Sequence, residues 1–247
     1  MNPLGRMAHA VLDLVFPRAC MACDAQLDEI DVPLCAACAA GMAKCVSQPY
    51  CESCGSDVGP HLLRDGRCTD CQNRRPPYRR ILRVGRYEGV LRDLILRFKV
   101  RDMPVLDQFL GQRMADIASF AAAGADLVVP VPAALRRLVQ RRYQPSRLLA
   151  HPVAKRLGCG CVDALKLARN IDQQKNLSAA ERVKNVRDAF AVASPAAVVG
   201  RAVCLIDDVL TTGATAREAS RALRRAGAAQ VVVVVLASTQ ENGVGPA

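Results

Sequence analysis

The segment VCLIDDVLTTGATA, residues 203–216, places two adjacent acids directly after an apolar run and follows them with Thr-Thr-Gly-Ala-Thr. Asp207 and Asp208 repel each other, and no neighbouring residue in the sequence neutralises them. An ordinary strand end has little use for such a pair, so we expect a group from outside the chain to bind there. Ionised carboxylates accept hydrogen bonds from sugar hydroxyls. The segment therefore predicts a ligand-binding loop.

The residues after the acids have the composition of a phosphate-binding turn. Hydroxyls and backbone N–H groups come from Thr211, Thr212, Gly213 and Thr215, where a helix is expected to begin. A helix N-terminus favours a phosphate dianion, so the acids would bind a ribose whose 5′-phosphate lies in the turn. A plain helix N-cap is the alternative, but it does not explain the acidic pair. The Gly-Lys-Ser/Thr ending of a Walker A loop is missing.

Eight of the twelve cysteines form four CxxC pairs, with 11, 12 and 13 residues between successive pairs. The pairs are Cys20/Cys23, Cys35/Cys38, Cys51/Cys54 and Cys68/Cys71. A CxxC turn directs both sulfurs to one side, so two such turns complete a tetrahedral thiolate site for structural Zn²⁺. Redox chemistry and disulfides are the alternatives. A closed four-sulfur site leaves no position for a substrate, so we expect these cysteines to be structural.

The sequence leaves the pairing of these motifs open. Consecutive pairing gives two zinc ribbons and is the arrangement we favour, whereas the nearly even spacing also permits interleaving, so one or two ions are expected. Four further cysteines, Cys45, Cys159, Cys161 and Cys204, lie outside the pattern. Cys204 stands within an apolar run, which predicts a core residue.

Beyond the linker-like segment NRRPPYRR (73–80), strand patterns alternate with helix patterns. Strands are predicted at 81–87, 126–132, 203–207 and 231–237, and helices at 90–99, 104–120, 215–227 and on either side of Pro145. Strands that are apolar throughout favour an α/β fold, a parallel sheet flanked by helices. We expect two domains. Residues 1–73 would hold a short amphipathic helix and a double zinc ribbon, and residues 81–240 the sheet.

The 247-residue chain carries a net charge of +11, concentrated in residues 74–101 and 136–156. Anionic partners such as phosphates, nucleic acid or a membrane surface fit this charge. A solvated basic face is the alternative. No apolar run approaches the ~20 residues of a membrane span, so no membrane insertion is expected. Asp13 interrupts the apolar start, which argues against a signal peptide and for a cytoplasmic protein.

The acidic pair and T-T-G-x-T resemble the PRPP-binding signature of type I phosphoribosyltransferases. The four CxxC pairs, RYEGVLRDLILRFK, DLVVPVP, LSAAERVKNVRDAF and IDDVLTTGAT also occur in the order seen in the ComF family of competence-related proteins. This resemblance extends from Cys20 to about Ala237. It implies a type I phosphoribosyltransferase fold preceded by a double zinc-ribbon module. It also implies a role in DNA uptake and natural transformation, with competence-machinery proteins as partners.

By this resemblance, Asp207 and Asp208 would bind the ribose hydroxyls of PRPP, and the backbone after Val131 would form a pyrophosphate loop. The 5′-phosphate would be cradled by Val209, Leu210, Thr211, Thr212, Gly213, Ala214 and Thr215. The family's R-G-F-N-Q segment is replaced by Arg141-Arg142-Tyr143-Gln144-Pro145. The Gly→Arg and Gln→Pro changes alter flexibility and the supply of hydrogen-bond donors there.

If phosphoribosyl transfer occurs, Mg²⁺ would bind with PRPP, and protein cations would stabilise the departing pyrophosphate. Lys99 and Arg141 are the candidate catalytic cations, followed by Arg136 and Arg137. A helix lysine that extends its ammonium into solvent is the alternative for Lys99. Three further cations, Lys175, Arg182 and Lys184, belong either to a loop over the site or to the plain surface.

Two other functions compete with the transferase. The basic stretches and zinc ribbons could make the protein an adaptor for single-stranded DNA that retains a PRPP site. Against this reading, aromatics for base stacking make up only 4% of the chain. A structural scaffold that binds competence proteins through the ribbons is the third possibility.

Overall fold

The structure is a computed structural model and describes residues 19–27, 32–100, 103–133, 144–168 and 186–239. Within these ranges the structure has seven strands, β1 (Arg80–Arg86), β2 (Leu127–Pro130), β3 (Gly160–Cys161), β4 (Leu165–Leu167), β5 (Phe190–Val192), β6 (Ala202–Leu210) and β7 (Gln230–Ser238). Five of them form a parallel sheet in the order β1-β7-β6-β2-β3. The remaining two, β4 and β5, pair in antiparallel fashion.

The helices are α1 (Ala36–Val46), α2 (Gly89–Val100), α3 (Pro104–Ala121), α4 (Pro145–Leu157) and α5 (Ala214–Arg225). Helices α2, α3 and α4 pack on one face of the sheet, and α5 packs on the other. Side chains alternate between these two cores along β6: Cys204 and Ile206 point to the first, Val203 and Leu205 to the second. The predicted parallel sheet between helices is confirmed, and Cys204 is a core residue.

Strand β6 is longer than the sequence pattern predicts. Its pairing with β7 continues past residue 207, with Asp207 opposite Val235 and Leu210 opposite Ser238. Asp208 therefore lies with Asp207 within the final part of the strand, rather than after its end. Regular pairing around them fixes the backbone from which their carboxylates extend.

The sheet reverses its winding between β2 and β6. The chain moves outward in one direction from β2 to β3 and in the opposite direction from β6 to β7. Ligands of open α/β sheets bind at the carboxyl ends of the strands at such a point. Pro130, the last residue of β2, is the register partner of Ile206, so the loop after β2 leaves the sheet beside Asp207 and Asp208.

The cysteine-rich segment packs against β1, which is an edge strand of the sheet. The Ile81 N–H donates to the carbonyl oxygen of Glu52 over 2.6 Å, and the buried Arg83 reaches the carbonyl oxygen of Gly55. These contacts cover an edge that would otherwise present unpaired backbone groups. Among the helices of the described ranges, none has the length and apolar character needed to cross a bilayer.

Candidate functional site

The carboxylates of the two acids at the end of β6 accept hydrogen bonds from neighbouring backbone N–H groups. Asp207 Oδ1 accepts a hydrogen bond from the Asp208 N–H at 2.9 Å, and Asp208 Oδ1 accepts one from the Val209 N–H at 2.6 Å. All three residues are half-buried. Each carboxylate is thus oriented by the residue that follows it.

Lys99 lies beside the second acid. Its Nζ is 2.8 Å from Asp208 Oδ2, and both side chains are about one-fifth exposed, 20% and 22%. The charge of the acidic pair is therefore partly compensated from within the chain, by a lysine that is distant in the sequence. The alternative of a lysine that extends into solvent is wrong. Sequence proximity could not show this pair, because α2 ends next to β6 only after the sheet has formed.

The turn after β6 leads directly into α5. Gly213 precedes the helix in the left-handed conformation with φ 71°, which glycine adopts without steric cost. The Arg217 guanidinium donates to the carbonyl oxygen of Thr212 at 2.8 Å. Arg217 was not predicted as a site residue. Its position four residues after Gly213, on the same face of the first helical turn, is a signal that could have found it.

Side chains at the start of α4 contact the backbone directly after β2. The carbonyl oxygen of Val131 accepts from Gln144 Nε2 at 2.9 Å and from the Ser146 hydroxyl at 2.5 Å. Pro145 occupies the first position of α4, where its fixed φ suits a helix and its missing N–H costs nothing. This accounts for the proline at the position where the family has glutamine.

Several predicted cations lie outside the described residues. They are Arg136, Arg137, Arg141, Lys175, Arg182 and Lys184, and the same holds for Arg142, Tyr143 and the predicted N-terminal helix. Of the candidate catalytic cations, Lys99 is the one that the described residues bring to the acidic pair.

The eight cysteines of the CxxC pairs form two clusters. In each cluster the four sulfurs lie within 4.8 Å of one another, Cys20, Cys23, Cys35 and Cys38 in the first and Cys51, Cys54, Cys68 and Cys71 in the second. This is the consecutive arrangement favoured from the sequence, not the interleaved one. Four thiolates that converge in this way match the ligand set of a closed, structural zinc site.

The surroundings of Cys51 favour the thiolate, which is the form that binds zinc. A hydrogen bond from the Cys54 thiol lowers the pKa of Cys51 to about 4. Backbone N–H groups of Ser53 and Cys68 also donate to its sulfur, at 3.4 and 3.3 Å. In the first cluster, burial works to raise the pKa of Cys20, but backbone hydrogen bonds outweigh it and lower that pKa to about 6. Each cluster thus contains one thiol that ionises readily, whereas burial raises the pKa of Cys38 and the hydrogen bond with Cys51 raises the pKa of Cys54.

The second cluster reaches the base of the loop after β6. Gly55 follows Cys54 directly and has φ 77°, and a Cβ at this position would lie 2.4 Å from Leu210 Cδ2. The Ser238 hydroxyl donates to the Gly55 carbonyl oxygen at 2.6 Å. Leu210 is the last residue of β6, so the cysteine-rich segment packs on the residue from which the loop departs. No pattern in the sequence indicates this contact.

Two family models match the chain, a double zinc ribbon domain over residues 11–72 and a phosphoribosyl transferase domain over residues 145–245. The DNA utilization protein YhgH of Salmonella typhi is 31% identical over 232 residues, which cover 92% of this chain and 99% of that protein. Competence protein F of Haemophilus influenzae is 29% identical over 225 residues, 88% of this chain and 96% of the relative. The chain belongs to the ComF family.

The ComF-family assignment agrees with the geometry, since a double zinc ribbon with two four-cysteine clusters precedes a parallel sheet of phosphoribosyltransferase type. Among solved structures, glutamine PRPP amidotransferase from B. subtilis aligns with a TM-score of 0.39 and 23% identity. That alignment covers 57% of this chain and 30% of the other.

Proposed function

We propose that this ComF-family protein binds PRPP at the carboxyl end of β6 and acts as a PRPP-dependent phosphoribosyltransferase in DNA uptake. The ion pair between Lys99 and Asp208, 2.8 Å long, carries the proposal. It puts a cation beside the acids assigned to the ribose, at the crevice where β2 and β6 diverge. Lys99 would compensate part of the negative charge of a diphosphate attached to the ribose.

Each group would have a separate role. The carboxylates of Asp207 and Asp208 would accept hydrogen bonds from the ribose hydroxyls, while the loop from Val209 to Thr215 and the first N–H groups of α5 would bind the 5′-phosphate. As the bond between C1 and the pyrophosphate oxygen breaks, Lys99 and Arg141 would stabilise the charge on the leaving group. An acceptor nucleophile would then form the new bond at the opposite face of C1.

The acidic pair also suits a divalent cation, because carboxylate oxygens are the ligands that Mg²⁺ prefers. When bound together with PRPP, Mg²⁺ would neutralise part of the charge of the diphosphate. A metal site also needs carboxylates that are held in fixed orientations. The N–H groups of Asp208 and Val209 hold the two carboxylates by donating hydrogen bonds to them.

We further propose that each cysteine cluster holds one Zn²⁺ and that residues 1–73 form the module built around them, with residues 81–240 as the transferase domain. The described cysteines form no disulfide with one another, which agrees with the reducing cytoplasmic location that we propose. Zinc content by elemental analysis should approach two ions per chain. It should fall to about one in Cys54→Ser, since a single ligand is lost from one cluster.

Calorimetric titration of PRPP and Mg²⁺ into the zinc-loaded protein tests the donor site. Asp207→Asn/Asp208→Asn should weaken binding by roughly tenfold or more, because both charged acceptors are lost. Asp93→Asn/Asp163→Asn removes the same charge from exposed surface pairs and should bind as the wild type does. If the wild type does not bind PRPP, the proposed enzyme function is wrong. Pyrophosphate release with an acceptor would then establish turnover.

A groove at the opposite end of the sheet supports the second candidate function, an adaptor for single-stranded DNA. Its volume is about 390 Å³, and Arg79 and Arg224 line it together with Pro76 and Pro77. Cations along a groove of this kind suit a phosphate backbone. The affinity for single-stranded DNA should then fall steeply as the salt concentration rises, and it should be weaker in Arg79→Gln/Arg224→Gln. An unchanged affinity in this variant would contradict the adaptor function and favour the transferase.

A further inference from the structure

Helix α2, which carries Lys99, is tied to the first cysteine cluster near its C-terminal end. The guanidinium of Arg97 donates to both carboxylate oxygens of Asp24, at 2.6 and 2.8 Å. Such a fork-to-fork pair fixes orientation as well as distance. Asp24 follows Cys23 directly, and its N–H donates to the carbonyl oxygen of Cys20 at 2.9 Å. The carboxylate that holds Arg97 therefore belongs to the turn that presents two sulfurs of this cluster.

The same cluster reaches the other end of α2 through α1, which contains Cys38. A Cβ on Gly41 would lie 2.7 Å from Val90 Cγ2, and one on Gly85 would lie 2.7 Å from the carbonyl oxygen of Cys45. The Cys45 thiol donates to the carbonyl oxygen of Glu88 at 3.4 Å, directly before the helix begins. Close backbone approach at these points leaves little freedom for α2 to shift relative to α1.

Arg97 and Lys99 lie on opposite sides of α2, since two residues turn an α-helix by about 200°. One side chain faces the first cysteine cluster and the other faces Asp208. A rotation or translation of the helix end would change both contacts together.

We infer that Arg97 is a positioning residue through which the first cysteine cluster holds Lys99 at Asp208, so that zinc in this cluster is coupled to PRPP at the acidic pair. The coupling to PRPP rests on the proposed function, whereas the placement of Lys99 does not. Because coupling of two equilibria is reciprocal, bound PRPP would also slow the loss of zinc from this cluster.

The direct readout is the acylation rate of Lys99 by an amine-specific reagent, mapped by mass spectrometry, with the exposed Lys155 as internal reference. In the zinc-loaded wild type, the contact with Asp208 protects Lys99. Arg97→Gln should raise the relative rate about fivefold. Arg97→Lys should restore part of the protection, because it keeps the charge but loses the fork. The matched control is Arg92→Gln, which removes an exposed arginine of the same helix whose pair is the adjacent Asp93.

Asp24→Asn/Arg97→Gln should show the same rate as Arg97→Gln alone, since both changes break one contact. Cys23→Ser, with its zinc content measured, should raise the rate as well. Equal Lys99 rates in the wild type, Arg97→Gln and Arg92→Gln would overturn the inference, whether or not PRPP binds. If PRPP fails to bind the wild type while Arg97→Gln still exposes Lys99, the proposed function fails and the positioning role stands. If Arg97→Gln exposes Lys99 but PRPP binds equally to both proteins, the coupling is overturned.

Discussion

Lys99 Nζ lies 2.8 Å from Asp208 Oδ2 and joins the end of α2 to the end of β6. The pair is partly exposed, so its contribution to stability is small, about 1 kcal/mol at most. Under the proposed function its position matters more than its strength, because Lys99 would lie where the charge of a leaving diphosphate develops. The lysine and the acid together form a site with both signs of charge.

Lys99→Gln should weaken the binding of PRPP with Mg²⁺ by about tenfold, because a charge-assisted contact to the diphosphate is lost. Calorimetry measures the change. The fold should persist, with a free energy of unfolding lowered by no more than about 1 kcal/mol. Lys155→Gln, at an exposed position of α4, is the control and should bind PRPP normally. Equal affinity in the two variants would contradict a role for Lys99 in the site.

The sequence predicted the elements better than their contacts. Apolar runs at 126–132 and 231–237 give β2 and β7, and the spacing of four CxxC pairs gives two clusters, because these signals are local. β4 and β5 were missed, since three-residue strands carry no measurable periodicity.

The contacts that shape the site join residues far apart along the chain. The approach of Gly55 to Leu210 and the pairing of Lys99 with Asp208 both depend on how the elements pack. The burial of Arg83 could not be predicted from the sequence either. A charged residue within a strand predicts an exposed position, but the cysteine-rich segment covers it and supplies its partners.

Gly55→Ala should lower the free energy of unfolding by about 2–3 kcal/mol. About 1 kcal/mol comes from the left-handed backbone, and the remainder from the collision of the new Cβ with Leu210. Denaturant unfolding gives the value. Gly124→Ala is the control, since Gly124 has φ 87° but no atom within 4 Å of a Cβ, and it should cost only the backbone part. The two costs should therefore differ, and PRPP affinity should drop in Gly55→Ala alone because Leu210 leads into the loop.

Arg83→Met should be the most destabilising of the single substitutions, at about 3 kcal/mol or more. Arg83 is 4% exposed, donates to the Gly55 carbonyl oxygen and pairs with Asp57. It also stacks over Tyr50 at 4.5 Å. Methionine keeps much of the packing but leaves Asp57 with less compensation, and a half-broken buried pair is costly.

Arg80→Met is the matched control for Arg83→Met, because Arg80 belongs to the same strand and pairs with Glu52 at 3.5 Å on the surface. Its effect on the free energy of unfolding should stay under about 1 kcal/mol. Similar midpoints of urea unfolding for the two variants would show that Arg83 does not lock the cysteine-rich segment to β1.

Tyr78→Phe tests a contact between the linker and the second cysteine cluster, and its effect should depend on pH. The Tyr78 hydroxyl donates to the Ser53 carbonyl oxygen at 2.9 Å, so its removal should cost about 1 kcal/mol near pH 8. Burial raises the pKa of Tyr78 to about 12, whereas an unfolded tyrosine ionises near pH 10. The folded state therefore retains this proton to higher pH.

It follows that the contribution of Tyr78 is complete below about pH 10 and is lost as the pH rises from about 10 to about 12. The stability difference between the wild type and Tyr78→Phe should be constant in the first range and shrink in the second. Unfolding midpoints at a series of pH values measure it, with phenolate absorbance as a direct check on ionisation. Tyr87→Phe, which alters a half-buried tyrosine at the end of β1, controls for the loss of a phenol elsewhere. Ionisation of Tyr78 near pH 10 in the folded protein would show that this side chain is not buried between the linker and the cysteine-rich segment.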